Sequence, residues 1–241
     1  MIYLTGDTHG DFRRIIKYDL TDKDYIIVCG DFGIWYKGQN STFDYLSKLP
    51  YKILFVDGNH SNFDWLNEFP IEDWNGGKVQ FIRKNIIHLM RGYVFTIEGK
   101  TIFTFGGARS VDVQGGILDK NDPNFKNKKL FAENTGRPYR IDHESWWKEE
   151  MPNEEEMKRG IDNLNKVNNK VDYVITHATS DCILKQISDF FTDDLITNYF
   201  ALIRNKITFD KWYFGHYHID ENITDKDICL YYRIIELGEK L

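Results

Sequence analysis

Cysteine and proline are scarce in this chain: three cysteines and five prolines in 241 residues. Cys29, Cys182 and Cys229 form no C-x-x-C pair and their number is odd, which argues against a disulfide framework and for a reducing, cytoplasmic setting. Long apolar runs are missing as well. None approaches the roughly 18 residues of a membrane span, and no basic-then-apolar leader precedes the strand-like Met1-Ile2-Tyr3-Leu4. No membrane partner is expected. Positive charge is also in deficit. A net charge of −6 disfavours an extended nucleic acid held by bulk electrostatics, whereas a small phosphorylated substrate needs only local positive charge.

What the chain does have is apolar material in short pieces. At 41% hydrophobic and 15% aromatic it can bury a sizeable core, and its length suits a single α/β unit over residues 1–241. Ile2-Tyr3-Leu4 stops at Thr5-Gly6-Asp7, Tyr25 to Cys29 at Gly30-Asp31, and Ile53 to Val56 at Asp57-Gly58-Asn59-His60. Tyr173-Val174-Ile175 stops at Thr176-His177, and Trp212-Tyr213-Phe214 at Gly215-His216. Runs of this kind read as strands buried on both faces. Helical patterns are expected over Ser41–Leu49 and Thr192–Ile203. The clearest helix follows Asn153, a good N-cap, with Glu154, Glu155 and Glu156 at the positive end of the dipole. There Met157, Ile161, Leu164 and Val167 fall on one face. Glu98-Gly99-Lys100 joins Val94–Ile97 to Thr101–Phe105 as a hairpin, and Tyr231 to Ile235 reads as a closing strand. The segment from Ser110 to Trp147 is rich in Asn, Asp, Lys and Gly with weak periodicity. It reads as an irregular excursion that could cover a site, the plainer alternative being a solvated linker.

The polar residues at the strand ends form a set: Asp7 and His9 in GDTHG, Asp31 in GDFG, Asn59 and His60 in GNH, His177 in THA, His216 and His218 in GHYH. Ligand sites in parallel α/β sheets form outside the carboxyl ends of strands, so these residues are expected to converge. Carboxylate, imidazole and carboxamide suit a borderline divalent metal such as Mn, Fe, Zn or Ni. Asp7, His9, Asp31, Asn59, His177, His216 and His218 are too many ligands for one ion. Two ions sharing a carboxylate is the economical arrangement, one that suits phosphoryl chemistry. Residues i and i+2 of an extended segment face one way, which predicts that Asp7 and His9, and His216 and His218, look into one cavity.

With GDTHG, GDFG, GNH, THA and GHYH in this order, the chain resembles the calcineurin-like metallophosphoesterases, in particular a bacterial and phage branch of unassigned substrate that also carries GGARS (106–110) and Trp146-Trp147. The resemblance implies a four-layer α-β-β-α sandwich of two mixed sheets with outer helices. It implies that Asp7, His9, Asp31 and His218 hold one divalent ion and Asp31, Asn59, His177 and His216 a second, with Asp31 as bridge. A bridging hydroxide would then attack phosphorus while His60 serves the leaving oxygen. Asp31 and His60 are the catalytic candidates, and Asn59 and Arg109 the substrate-binding ones. The implied activity is hydrolysis of phosphomonoesters or phosphodiesters of small molecules, nucleotides among them.

The chain also departs from the pattern. Where many relatives read GDxxDRG it reads GDFGIW, so Ile34 stands for the Asp that orients the catalytic histidine and Trp35 for the phosphate-gripping Arg. Ser61 rather than an acid follows GNH. These changes count against a protein Ser/Thr phosphatase, and the intact ligand set counts against a non-catalytic binding module. Arg109, with Arg137 or Arg140 from the excursion, could supply the missing charge. His88 and His143 lie outside the motifs and read as ordinary histidines, Cys29 as a small buried residue, Trp146 and Trp147 as packing, and Lys126, Lys128 and Lys129 as a solvated loop.

Overall fold

The computed structural model describes every residue except Lys37, Gln39 and Asp189. The first half of the chain forms β1 (Ile2–Thr5), α1 (Arg13–Ile16), β2 (Tyr25–Val28), α2 (Asn40–Leu46), β3 (Lys52–Phe55), α3 (Phe63–Leu66), β4 (Ile71–Trp74), β5 (Gly77–Arg83), β6 (Ile86–Leu89), β7 (Tyr93–Ile97) and β8 (Lys100–Phe105). The second half forms β9 (Ile117–Leu118), α4 (Phe125–Asn134), β10 (Arg140–Ile141), α5 (Glu154–Lys166), β11 (Tyr173–Thr176), α6 (Asp181–Ile187), α7 (Leu195–Lys206), β12 (Lys211–Phe214), β13 (Glu221–Asn222), β14 (Asp227–Cys229) and β15 (Ile234–Glu236).

The strands make two mixed sheets, ordered β15-β1-β2-β3-β6-β5-β4 and β13-β14-β12-β11-β8-β7, plus the small β10-β9 pair. In both, parallel strands occupy the middle and antiparallel ones the margins. Strand alternation builds the layers. Leu4, Ile27 and Leu54 of the first sheet meet Ile102, Ile175 and Tyr213 of the second in one buried cluster. Their neighbours Ile26, Val28, Ile53 and Phe55 turn outward onto Ile15, Phe43, Leu46 and Trp65 of α1, α2 and α3. On the far side Phe103, Val174, Trp212 and Phe214 pack against Leu164, Ile183, Phe200 and Ile203 of α5, α6 and α7. The result is the α-β-β-α sandwich. Buried Trp212 keeps its polar atom satisfied by donating Nε1–H to Thr176 Oγ1 at 2.7 Å.

Helix α5 begins where its cap predicts. Asn153 Oδ1 accepts from Glu156 N–H at 2.9 Å and Glu156 Oε2 accepts from Asn153 N–H at 3.0 Å, a closed capping box. Helix α7 starts at Leu195, three residues later than expected at Thr192, because Asp194 is its cap, accepting from Ile196 and Thr197 at 3.0 Å each. The closing strand also starts late, at Ile234 rather than Tyr231. The Asp220 carboxylate takes the backbone N–H groups of Tyr231, Tyr232 and Arg233 at 2.8–3.2 Å, which removes them from the ladder. Residues 110–147 are less irregular than their composition implies. They hold α4 and the β9–β10 pair. Of the ten residues of α4 only Ala132 is buried, so no apolar stripe announces the helix.

Candidate active site

The ends of β1, β2 and β3 lie level, Thr5 opposite Val28 and Val28 opposite Phe55. The loops that follow start side by side and carry Asp7 and His9, then Asp31, then Asn59 and His60. Strands β11 and β12 bring His177, His216 and His218 to them. The expected convergence takes place, and small residues allow it. A Cβ at Gly58 would collide with Asp31 Oδ1, and one at Gly215 with Asp7 Oδ1.

The side chains gather into two groups that could hold a metal ion, Asp7 with His9 and His218, and Asp7 with Asp31 and His177. In the first, Asp7 Oδ2 lies 3.2 Å from His218 Nε2 and 3.7 Å from His9 Nε2, and those ring nitrogens stand 2.9 Å apart. In the second, Asp31 Oδ2 is 3.4 Å from His177 Nε2, which is 3.1 Å from Asn59 Oδ1. The His216 ring lies beside that of His177, centroids 5.0 Å apart. Each carboxylate has one oxygen committed to the backbone. Asp7 Oδ1 accepts from His216 N–H and Asp31 Oδ1 from His60 N–H, both at 2.9 Å. The other oxygen is left facing the imidazoles. Asp7 Oδ2 is buried with no well-formed hydrogen bond among the described residues and rests against His218 Nε2, an arrangement a folded interior rarely leaves to a carboxylate oxygen.

Backbone conformation explains why these residues face each other, and it is not the extended geometry expected. His9, His216 and His218 have φ of 44°, 68° and 53°, and Asp31 has φ of 43°. They sit in left-handed turns, so the i and i+2 argument does not apply. Such strained turns in non-glycine residues cluster where function over-determines them.

Charge is balanced inside the cluster. Burial pushes the Asp31 carboxyl up, but the imidazoles of His177, His60 and His9 outweigh it and hold it well below the usual carboxylate range. Asp7 is likewise lowered: burial opposes, while His177 and the contact with His218 prevail. His177 is the counterpart. Burial pushes it down, yet Asp31 and Asp7 raise it to about 9. Burial, helped by the charge on His177, pushes His216 down to about 3. His177 Nδ1–H donates to Cys29 O at 2.9 Å, which fixes the ring with Nε2 turned inward. Carboxylates, imidazoles and a carboxamide around an orphaned buried oxygen fit a borderline divalent cation.

Asn59 is aimed by a chain of partners that the sequence does not announce. Its Nδ2–H donates to Ser110 Oγ at 3.2 Å, and Ser110 donates to Glu150 Oε2 at 2.6 Å. The amide oxygen is thereby turned to His177. His60 stands at the edge of the cluster, Nε2 3.9 Å from Asp31 Oδ2. The guanidinium of Arg140 faces it, 3.2 Å from Nδ1 and 3.3 Å from Nε2, and is itself held by Asp112 at 2.5 and 3.0 Å. Burial and then Arg140 lower the His60 pKa, against the pull of Asp31. Arg137 lies over the ring of Phe131. Arg109 is turned elsewhere: it donates to Thr192 Oγ1 at 2.7 Å and pairs with Asp194 at 3.3 Å. Trp147 is 2% exposed and donates to Asp64, as a packing residue would. His88 is also structural, set between Gln80 at 2.8 Å and Asp57 at 3.1 Å.

Comparison with curated proteins gives no match. A solved phosphopantetheinyl hydrolase from Mycobacterium tuberculosis is similar over 96% of this chain and 89% of its own, with 14% identity and a TM-score of 0.45. At that distance the likeness carries no conclusion about activity. Comparison with protein families is informative: residues 1–220 match the calcineurin-like phosphoesterases. On that match the chain belongs to the calcineurin-like phosphoesterase family, whose chemistry is metal-dependent hydrolysis of phosphoesters, and the side chains able to hold a metal lie within the same span.

Proposed function

We propose that this protein hydrolyses phosphomonoesters and phosphodiesters of small molecules, nucleotides among them, at a dinuclear centre. The observation that carries the reading is the orphaned Asp7 Oδ2, buried and met by the ring nitrogens of His9 and His218. Asp7, His9, Asp31 and His218 would hold one divalent ion and Asp31, Asn59, His177 and His216 the other, with Mn, Fe, Zn and Ni all compatible with the donor set. Bound cations supply Lewis acidity toward phosphoryl oxygens and a nucleophile from water at neutral pH. The chain's own residues do the rest. His60 hands a proton to the leaving oxygen. Arg140 meets a non-bridging phosphoryl oxygen, taking over from the arginine that Trp35 replaces. Asp112 and Ser145 keep that guanidinium in place. Residues 1–241 serve as one metallophosphoesterase domain, with 110–147 as cover. Among the described residues no helix is long and apolar enough to cross a membrane. Free Cys29, Cys182 and Cys229 suit a reducing cytoplasm.

The test is a phosphoester panel with the protein stripped and reloaded with Mn, Fe, Zn or Ni, paired with metal analysis. About two ions per chain and turnover with at least one loading are expected. Asp31→Asn should lose more activity than a change at any terminal ligand. No turnover under any loading, or wild-type activity in Asp31→Asn, would sink the reading.

A further inference from the structure

Next to His216 lies a cavity of about 230 Å³ that the hydrolytic chemistry does not require. Its floor is apolar, from Ala178 and Leu184, both 2% exposed. One wall is a run of rings set edge to face. Phe191 meets Tyr217 with centroids 5.0 Å apart, Tyr217 meets His216 at 4.9 Å, and His216 meets His177 at 5.0 Å. The ring series thus leads from the cavity into the metal-ligand cluster. The opposite rim is polar but nearly neutral. The Arg109 guanidinium is already paired with Asp194 at 3.3 Å and donates to Thr192 at 2.7 Å, and Gln114, whose Nε2–H is donated to Val111 O at 2.7 Å, also lines the cavity.

These walls select a chemistry. A second phosphate would face the Asp194 carboxylate, which lines this cavity beside Arg109 and would repel it. An aliphatic chain would leave the polar rim unused. A flat heteroaromatic ring matches both: its faces stack on aromatic and apolar side chains, and its edge meets a guanidinium, a carboxylate and a carboxamide. Because His216 belongs to both the cavity and the candidate metal centre, one molecule can occupy the two at once. His60 and Arg140 flank a different space, lined also by Trp35 and Trp147, where a leaving group acted on by His60 would sit.

We infer that the cavity beside His216 is a nucleobase subsite that holds the nucleoside on the non-leaving side of a phosphodiester. The inference rests on the phosphoesterase reading above. In this arrangement Arg109 reads the base edge while phosphate recognition falls to other groups.

The experiment compares two diesters with one leaving group, p-nitrophenyl thymidine 5′-phosphate and p-nitrophenyl methyl phosphate, on the metal-loaded protein. The thymidine ester should have the higher kcat/KM, on the order of tenfold. Phe191→Ala should bring that ratio toward one, and so should Gln114→Trp, a change at an exposed rim position that plugs the mouth without touching the floor. Equal kcat/KM for the two esters in wild type, or a ratio unmoved by both variants, overturns the subsite. If neither ester turns over, the hydrolytic reading fails separately. Calorimetric binding of thymidine 5′-methylphosphate then decides: a Kd weakened about tenfold by either variant supports the subsite, and undetectable binding or an unchanged Kd in both overturns it.

Discussion

His60 stands between a carboxylate and a guanidinium, Asp31 Oδ2 at 3.9 Å and Arg140 at 3.2 Å. A group placed there to protonate a leaving oxygen matters most when that oxygen leaves poorly. His60→Asn should therefore cost about 10²–10⁴-fold with an alkyl phosphoester and less with a nitrophenyl ester, at unchanged metal content. Equal losses with both esters would remove His60 from that role. Arg140 carries a second expectation. A dianionic monoester gains more from a guanidinium than a diester does, so Arg140→Ala should lower monoester kcat/KM more than diester kcat/KM. Arg109→Ala should leave that ratio where it was, since Arg109 lines the cavity beside His216 and not the space that His60 and Arg140 flank. At this scale the motif residues were legible because each follows an apolar run and a turn. Arg140 was legible only as one of several arginines in the excursion, and Ser110 and Glu150 not at all in their roles. Their positions depend on how residues 110–150 fold back, and no local pattern encodes that.

Strand β3 and the GNH loop rest on a buried charge pair. Asp57, two residues past the strand, receives Arg91 Nε–H and Nη2–H at 2.9 and 2.5 Å, and Arg91 reaches Glu156 of α5 at 3.2 Å. Both Asp57 and Arg91 are about 97% or more buried. Burial pushes the Asp57 carboxyl up, but Arg91 and His88 hold it below the usual range. Removing one partner of such a pair strands the other, so Asp57→Asn should destabilise the fold by about 3–5 kcal/mol in denaturant titration. A change under 1 kcal/mol would mean that the pair is dispensable. Elements with apolar runs were readable in the sequence, and β1, β2, β3, β11 and β12 stand within a residue or so of their expected places. The β4–β5 hairpin was not, because β4 is mostly exposed and lacks an apolar signature. Its signal lay in the turn. Asn75 and Gly76, with φ of 48° and 95°, form the Asn-Gly pair that hairpins favour.

The two sheets meet at one edge through Asp7, His9 and Asp31 on one side and His177 and His218 on the other, so a bound cation would fasten them together. Metal that binds only the folded chain raises stability by mass action. At 100-fold excess over Kd that is about 2.7 kcal/mol per site, or roughly 5–10 °C in Tm for a chain of this size. Chelation should reverse it, and a Tm indifferent to chelator would deny the cations this fastening role. pH tests the same centre. His177 rises to about 9 in the fold from an ordinary 6.5. In metal-free protein its contribution to stability is thus complete below pH 6.5 and is lost as pH rises through about 9. A cation needs the ring neutral, so metal affinity should climb over that same interval. A metal-free Tm that increases between pH 7 and 9 would contradict the assignment. There is also a matter of timing. His9 and His218 touch across 209 residues of chain, and β1 finds its β15 partner only at Ile234–Glu236. At 5–20 residues per second a ribosome takes roughly 10–40 s to travel from one histidine to the other. For that interval Asp7 and His9 would offer a cation half a chelate on a nascent chain, and the choice of cation would wait until His218 has been made.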